Sequence, residues 1–473
     1  MKGITFFLLL VTFSTLYSQP VTLRDTTNQY DYIIITVPEF VNDCEPFRQH
    51  KETVRDFRTL IVDTTQIYAE FDSSATPQDN IRDFISYAGT FWKDPRPKFF
   101  LIVGTVSDVP NFPILYTYYS DSTYYDSDYY YSDNLYNSDS TTTDFYIGRI
   151  PSKNINELQN YFDKVIDYEV DNTLHSWMNN NLFICESELY FGFYEFAKEL
   201  AEYYLPDYIR SFFIVSDSVL PNFGDKDSLY KAINDRGCAV CWFYGHCNDS
   251  AFISQEYFGI NDLGGLNNQG KYFLSIFIST QHSILDTNTN MSARMMVMSE
   301  SGSLGGIVHV APTYYSVGNI MRRYYALRLF DPVIHSIGET FTLDNLVPPA
   351  GFYWYMKQIT NLWADPSLKL KYDTTVGVEQ VAIETPQSFI LDQNYPNPFN
   401  PSTTIKFALP VVSKVKINVY NSLGQLVETL VDKEMESGYH EVNFNAARLA
   451  SGVYLYQLQA GDFVSVRKMI LIK

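Results

Sequence analysis

Along most of this chain, continuous apolar runs that stop at proline or glycine alternate with stretches in which apolar side chains return every three or four positions. Tyr32-Ile-Ile-Ile-Thr-Val37 ends at Pro38 and predicts a strand buried on both faces. Phe57 to Asp63 and Gln66 to Phe71 repeat that pattern more weakly, and Gln78 to Gly89 carries Ile81, Phe84, Ile85 and Ala88 at helical spacing. Phe99 to Gly104 is a second strand, so the order strand, helix, strand predicts a parallel βαβ unit. Tyr116 to Asp144, dominated by Tyr, Ser and Asp, reads as a loop or insertion and not as a core element. A periodic helix follows over Ile155 to Tyr168.

A second αβ series begins near Trp177, with strands at Asn181 to Cys185 and Ser211 to Val215 and a helix at Phe191 to Tyr204 between them. Asp227-Ser228 opens a short helix, Leu229 to Arg236, which Gly237 closes as a left-handed cap. The apolar run from Cys238 to Tyr244 then stops at Gly245-His246. Further along come a strand at Tyr272 to Ser279, a helix at Ala293 to Glu300 ending at Gly302, and a strand at Gly305 to Ala311. The α/β pattern closes at Trp363-Ala-Asp-Pro-Ser-Leu-Lys-Leu370. Residues 372–392 show no period and read as a linker. Beyond them, short alternating runs such as Val415 to Tyr420, Glu441 to Phe444 and Val453 to Tyr456 predict a small antiparallel sandwich.

Composition narrows the class. A chain of 473 residues suggests two to four domains, and 46% hydrophobic against 19% charged residues excludes wholesale disorder. The formal charge of -20 argues against a nucleic-acid partner and an anionic membrane surface. Residues 1–18, with Lys2 followed by the apolar run Ile4 to Leu10, read as a secretory signal peptide. No stretch reaches the ~18 uninterrupted apolar residues of a transmembrane helix. Cys44, Cys185, Cys238, Cys241 and Cys247 are odd in number and sparse for a stapled scaffold, so buried thiols are expected.

Candidate chemistry gathers at His246. In an open parallel sheet ligands sit beyond the carboxyl ends of strands, where this strand delivers its imidazole. His282 and His309 read as surface or hydrogen-bonded structural histidines. Asp121, Asp126, Asp128 and Asp133 are candidate ligands for a structural calcium ion, which prefers oxygen donors, although their spacing lacks the glycine and terminal glutamate of an EF-hand loop. The bland alternative is a solvated loop. Cys238 and Cys241 have CxxC spacing, but positions three apart on a strand face opposite sides, which disfavours a mutual disulfide and a zinc knuckle. No cofactor is required by any motif.

Several of these stretches, taken in order, resemble the gingipain-type cysteine peptidases. They are Tyr32 to Thr36, Phe100-Leu-Ile-Val-Gly104 leading to Val109-Pro110, Asp144-Phe-Tyr-Ile-Gly-Arg-Ile-Pro151, Tyr244-Gly-His246 and Asp365-Pro-Ser-Leu-Lys-Leu370. The resemblance implies an α/β, caspase-like parallel-sheet α/β/α region in two halves, residues 19–170 and 171–371, with His246 as the catalytic histidine. It also implies a cysteine nucleophile after the next strand. Here that strand continues as Phe277-Ile-Ser-Thr-Gln281, and the nucleophile position is held by Ile278, which has no lone pair to attack a carbonyl. A register shifted by one offers Ser279, and the second glycine of the histidine motif is replaced by Cys247. Both are kept as candidate nucleophiles, though an unassisted serine attacks poorly and Cys247 projects away from its neighbour. Peptide hydrolysis and a pseudopeptidase that binds peptide or protein ligands are therefore the two functional expectations.

Residues 393–473 supply the second resemblance. Asn394-Tyr-Pro-Asn-Pro-Phe-Asn-Pro401, Val419-Tyr-Asn-Ser-Leu-Gly424, Leu449-Ala-Ser-Gly-Val-Tyr454 and Lys468-Met-Ile-Leu-Ile-Lys473 resemble the type IX secretion sorting domain, an all-β immunoglobulin-like sandwich. This resemblance implies handling by the type IX secretion machinery, passage across the outer membrane and an extracellular or cell-surface destination.

Overall fold

The continuous β-branched and aromatic runs become central strands because both of their faces must leave water. The computed structural model describes residues 21–72, 76–118, 121–136, 144–186, 192–216, 224–253, 257–277, 287–311, 315–331, 333–334, 336–341, 352–375, 389–394, 397–435, 438–461 and 463–472. The expected signal peptide and most of the expected linker lie outside these residues. The chain forms two compact units that divide after Thr375.

The first unit opens with β1 (Tyr32–Thr36), α1 (Val41–Val54), β2 (Thr59–Asp63), α2 (Thr64–Glu70), α3 (Pro77–Phe91) and β3 (Phe99–Val103). Next come β4 (Phe112–Tyr118), β5 (Asp121–Ser127), β6 (Tyr146–Ile150) and α4 (Ile155–Val170). Strands β2, β1, β3 and β6, in that order, make a four-stranded parallel sheet. Two expectations fail in this half. Gln66 to Phe71 belongs to a helix, because the Asp63 side chain accepts from the Gln66 N–H as an N-cap and Ile67 and Phe71, four apart, are both buried. The expected tyrosine-rich loop contains an antiparallel hairpin, β4 with β5, whose alternation buries Ile114 and Tyr125 and leaves Leu115 and Tyr124 outside.

The second half continues with β7 (Asn180–Cys185), α5 (Phe193–Tyr203), β8 (Arg210–Val215), α6 (Lys226–Tyr230) and β9 (Val240–Tyr244). The helix before β9 starts earlier than expected. Asp225 is its N-cap, and its last turn, Lys231–Arg236, widens to π geometry before Gly237 turns the chain at φ 75°. Three short strands, β10 (Cys247–Asn248), β11 (Ala251–Phe252) and β12 (Phe258–Gly259), form their own sheet. After them come β13 (Phe273–Phe277), α7 (Met291–Val297), β14 (Ser303–His309), α8 (Tyr315–Leu329), α9 (Ile337–Phe341), α10 (Phe352–Ile359) and β15 (Thr360–Ala364). The large sheet runs β15-β14-β13-β9-β7-β8, parallel throughout except for β15.

A buried polar knot joins the two halves. Lys51 is fully buried between Glu169 (2.7 Å) and Asp365 (2.6 Å), and Asp365 also accepts from the Tyr32 hydroxyl at 2.7 Å. Removing charges from water is costly unless each is paired and hydrogen-bonded, and here each is. The closing Asp365-Pro-Ser motif therefore ties the end of the unit to its first strand.

The second unit contains β16 (Ile390–Leu391), β17 (Ser402–Leu409), β18 (Ser413–Asn421), β19 (Leu426–Met435), β20 (Gly438–Asn445), β21 (Gly452–Ala460) and β22 (Phe463–Leu471). They form antiparallel sheets β16-β17-β20 and β19-β18-β21-β22 around Ile405, Phe407, Val415, Ile417, Val419, Phe444, Tyr456 and Leu458. Alternating residues of β17, β18, β20 and β21 build that core, as expected of a small sandwich.

Candidate functional site

Strand β9 is buried along its whole length between β7 and β13, with Phe243 in register with Ile184 on one side and Phe277 on the other. Its parallel neighbours fix where the chain leaves the sheet, so the residues after Tyr244 emerge at the carboxyl edge. Gly245 makes the next step possible. A Cβ at this position would lie 2.5 Å from Glu186 Cβ and 2.9 Å from its Oε2, closer than such atoms approach. Only the absent side chain lets the carboxylate come so near.

Glu186 follows β7 directly, and its Oε2 accepts from the His246 backbone N–H at 2.6 Å and contacts His246 Nδ1 at 2.7 Å. An ionised carboxylate can only accept, so Nδ1 carries the hydrogen and Nε2 keeps its lone pair. The Phe193 ring, at the start of α5, meets the imidazole edge-on at 5.7 Å and 80° and meets Tyr244 at 6.3 Å. The His246 side chain is 53% exposed and that of Glu186 19%. This arrangement can take up a proton at Nε2 and stabilise the resulting imidazolium through the carboxylate.

Glu186 was not among the candidates drawn from the sequence. Its only local signal is its position one residue past an apolar strand, and nothing in the chain order says that this strand lies beside the one carrying His246. Cys247, by contrast, opens β10 opposite Phe252, is 8% exposed and belongs to the hydrophobic core. The imidazole faces solvent while the adjacent thiol is buried. Ile278, Ser279 and His282 lie outside the described residues. The last described residue of β13, Phe277, stacks on Phe243 at 4.0 Å. His309 ends β14 fully buried.

Two of the four aspartates considered for calcium are paired with arginines. Asp128 is held by Arg149 through two hydrogen bonds of 2.7 and 2.6 Å, and Arg149 also donates to the Gly104, Thr105 and Val109 carbonyls. Asp133 accepts from Arg82 at 2.8 Å. Burial, and then the neighbouring charge of Asp128, push the Asp126 carboxyl above its ordinary pKa against the pull of Arg149. Asp121 opens β5. Among the described residues, no three carboxylate, imidazole or thiol groups come together as a metal site.

The two cysteines of the CxxC spacing correct an expectation. Cys238 precedes β9, so strand alternation does not govern it, and the Cys241 thiol is hydrogen-bonded to it instead of facing away. Burial first, and that hydrogen bond second, push the Cys241 pKa well above the ordinary thiol range. All five cysteines are buried and free.

Known proteins align with both units. The model of Peptidase family C25 matches residues 25–371, and the Secretion system C-terminal sorting domain matches residues 393–473. A complex of the Porphyromonas gingivalis RgpB pro- and mature domains superposes with a TM-score of 0.57 at 14% identity, covering 93% of this chain and 100% of that one. The Arg specific cysteine proteinase gingipain R gives a TM-score of 0.58 at 14% identity over 96% of this chain and 100% of that one. At such identities the likeness is one of fold, here the caspase-like α/β fold. No curated protein sequence matches significantly. Among the described residues no helix is long and apolar enough to cross a membrane. The chain belongs to peptidase family C25 and ends in a type IX sorting domain, which marks it for secretion across the outer membrane to the cell surface or the extracellular space.

Proposed function

We propose that this exported family C25 protein holds extended peptide segments at the carboxyl edge of its six-stranded sheet without cleaving them through a thiol. The observation that carries this reading is the pairing of an intact His246–Glu186 unit with a neighbouring strand whose sequence runs on as Phe277-Ile-Ser-Thr-Gln281. Thiol catalysis needs a sulfur that the imidazole can deprotonate and that can bond to the carbonyl carbon. Isoleucine offers neither function. The other nearby thiol, Cys247, is buried in the core and is poorly disposed to reach a carbonyl that His246 also touches. What persists is a half-exposed proton acceptor with its carboxylate, a group well suited to hydrogen-bonding peptide amides.

Retained peptidase activity, through Ser279 or Cys247, is the competing reading. Purified protein and its His246→Ala variant, incubated with a denatured protein substrate and followed by mass spectrometry of released peptides, separate the two. The expected result is no His246-dependent hydrolysis. Hydrolysis by the wild type that disappears in His246→Ala would overturn the proposal.

A further inference from the structure

The connection from β7 to α5 touches the His246 imidazole from both of its ends. Glu186, directly after β7, reaches Nδ1 at 2.7 Å, and Phe193, the first residue of α5, meets the same ring at 5.7 Å and 80°. The two contacts act differently. A carboxylate is an acceptor, so it fixes where the imidazole carries its hydrogen. A perpendicular ring exchanges no proton and sets a plane instead, because it places the edge of one ring against the face of the other. The His246 side chain is half-exposed, and a single hydrogen bond there competes with water. The second contact is therefore needed to hold one orientation.

Phe193 is itself held in place. Its ring is buried and also meets Tyr244 at 6.3 Å and 78°, so it spans the residues on either side of Gly245. The buried Arg322 of α8 lays its guanidinium over the Tyr244 ring, with Cζ 3.9 Å from the centroid. Such a contact is strongest where water is excluded. Asn319 joins the pair, its Oδ1 accepting from Arg322 Nη1 at 2.8 Å and from the Tyr244 hydroxyl at 3.4 Å. The next residue of α8, Arg323, donates to Glu199 of α5 at 2.6 Å, so α8 fixes the helix that carries Phe193 as well as the ring it leans on. Arg322, Tyr244, Phe193 and His246 thus form a column from the protein interior to the sheet edge, buried in every member but the last. Close-packed side chains of this kind transmit position and do not drift.

We infer that Phe193 is a positioning residue for His246, fixing the rotamer and plane of the imidazole while Glu186 fixes its proton, with Tyr244 and Arg322 as the support behind it. That this positioning serves a bound peptide rests on the peptide-holding reading given above. An imidazole spread evenly over three staggered χ1 wells presents its binding geometry about a third of the time, and apparent affinity falls in proportion to that fraction.

The test uses the full chain with isotope-labelled histidine, the His246 signals being identified by their loss in His246→Ala. Ring ¹⁵N shifts read the tautomer and three-bond couplings read χ1. The wild type is expected to show hydrogen on Nδ1 and a single rotamer. Phe193→Leu keeps apolar bulk and removes the ring, so it should keep the tautomer and average the rotamers. It should also raise, about threefold, the Kd for a fluorescein-labelled pool of randomised twelve-residue peptides followed by anisotropy. Phe193→Met, whose flexible side chain fills the same space, should do the same and serves if Phe193→Leu fails to fold. A rotamer that stays single in these variants would overturn the positioning role. Loss of the Nδ1–H tautomer would overturn it too, since Phe193 would then be general packing around Glu186. Rotamer averaging as expected, in a protein that binds no peptide or binds it with unchanged affinity, would uphold the positioning role and overturn the peptide reading alone.

Discussion

At the carboxyl end of the four-stranded sheet Arg149 and Asp128 meet with both side chains buried, whereas at the same end of the six-stranded sheet Glu186 meets a His246 that is 53% exposed. The two pairs are alike in chemistry and in their place on parallel strands. They differ in what surrounds them. Arg149 spends its remaining donors on the carbonyls of Gly104, Thr105 and Val109, and the hairpin base closes over Asp128. The imidazole that Glu186 holds remains half-exposed. A charge pair closed off inside the protein is a clamp, and one whose imidazole stands half-exposed at a sheet edge is a candidate site.

If this contrast is right, the clamp and the site should fail in different ways. Arg149→Met strands Asp128 as a buried carboxylate without its cation, and breaking a buried pair in this manner costs about 3–5 kcal/mol. The midpoint of thermal or urea unfolding should fall steeply, whereas His246→Ala should move it by no more than about 0.5 kcal/mol. Similar small shifts in both variants would break the comparison.

The knot around Glu169 offers a second, smaller contrast, because it is another buried cluster of the clamp kind. Burial alone would raise the Glu169 carboxyl, but Lys51, His50 and Arg55 outweigh it and hold the pKa below its ordinary value. A carboxyl depressed in the folded state contributes stability above its unfolded pKa of about 4.3 and loses it as pH falls toward the folded value. Glu169→Gln should therefore cost roughly 1–3 kcal/mol at pH 7, and the gap in stability between wild type and variant should narrow as pH falls from about 5 to about 2. Parallel acid limbs for wild type and variant would count against the knot.

A smaller effect on stability than at Arg149 or Glu169 is expected at Gly245, where the site itself is tuned. Gly245→Ala drives a Cβ into the Glu186 side chain, which must shift and carry its carboxylate away from its place on His246. The cost in stability should be on the order of 1 kcal/mol, the lower end for overpacking. The sharper readout is the imidazole tautomer by ¹⁵N NMR, which should shift from protonated Nδ1 toward a mixture. An unchanged tautomer would show that the carboxylate does not fix the ring.

Much of this was legible in the residues. Tyr32 to Thr36, Phe99 to Val103 and Val240 to Tyr244 are strands because apolar, β-branched and aromatic runs of that length have few other ways to leave water. The sandwich strands could be read from their alternation. Where composition hid the pattern, the reading failed. In Phe112 to Ser127 the tyrosines and serines mask an alternation that shows only once Ile114 and Tyr125 are known to point inward. Gln66 to Phe71 is too short for its period to be distinguished from a strand, and the Asp63 cap decided it.

Local preference and hydrophobic patterning act over a few residues, so the sequence by itself determined the βαβ succession, the sorting tail, the arrival of His246 at a strand end and the absence of a cysteine from the Phe277 to Gln281 stretch. Partnership between distant residues depends on strand order, which local pattern does not encode. Only the tertiary structure placed β7 beside β9, so that Glu186, sixty residues upstream, reaches the imidazole across a glycine. It also showed that part of the aspartate-rich stretch expected as a loop is a hairpin, whose base is held through Asp128 by Arg149. A buried arginine must find a carboxylate, and Asp128 was the one the fold brought within reach.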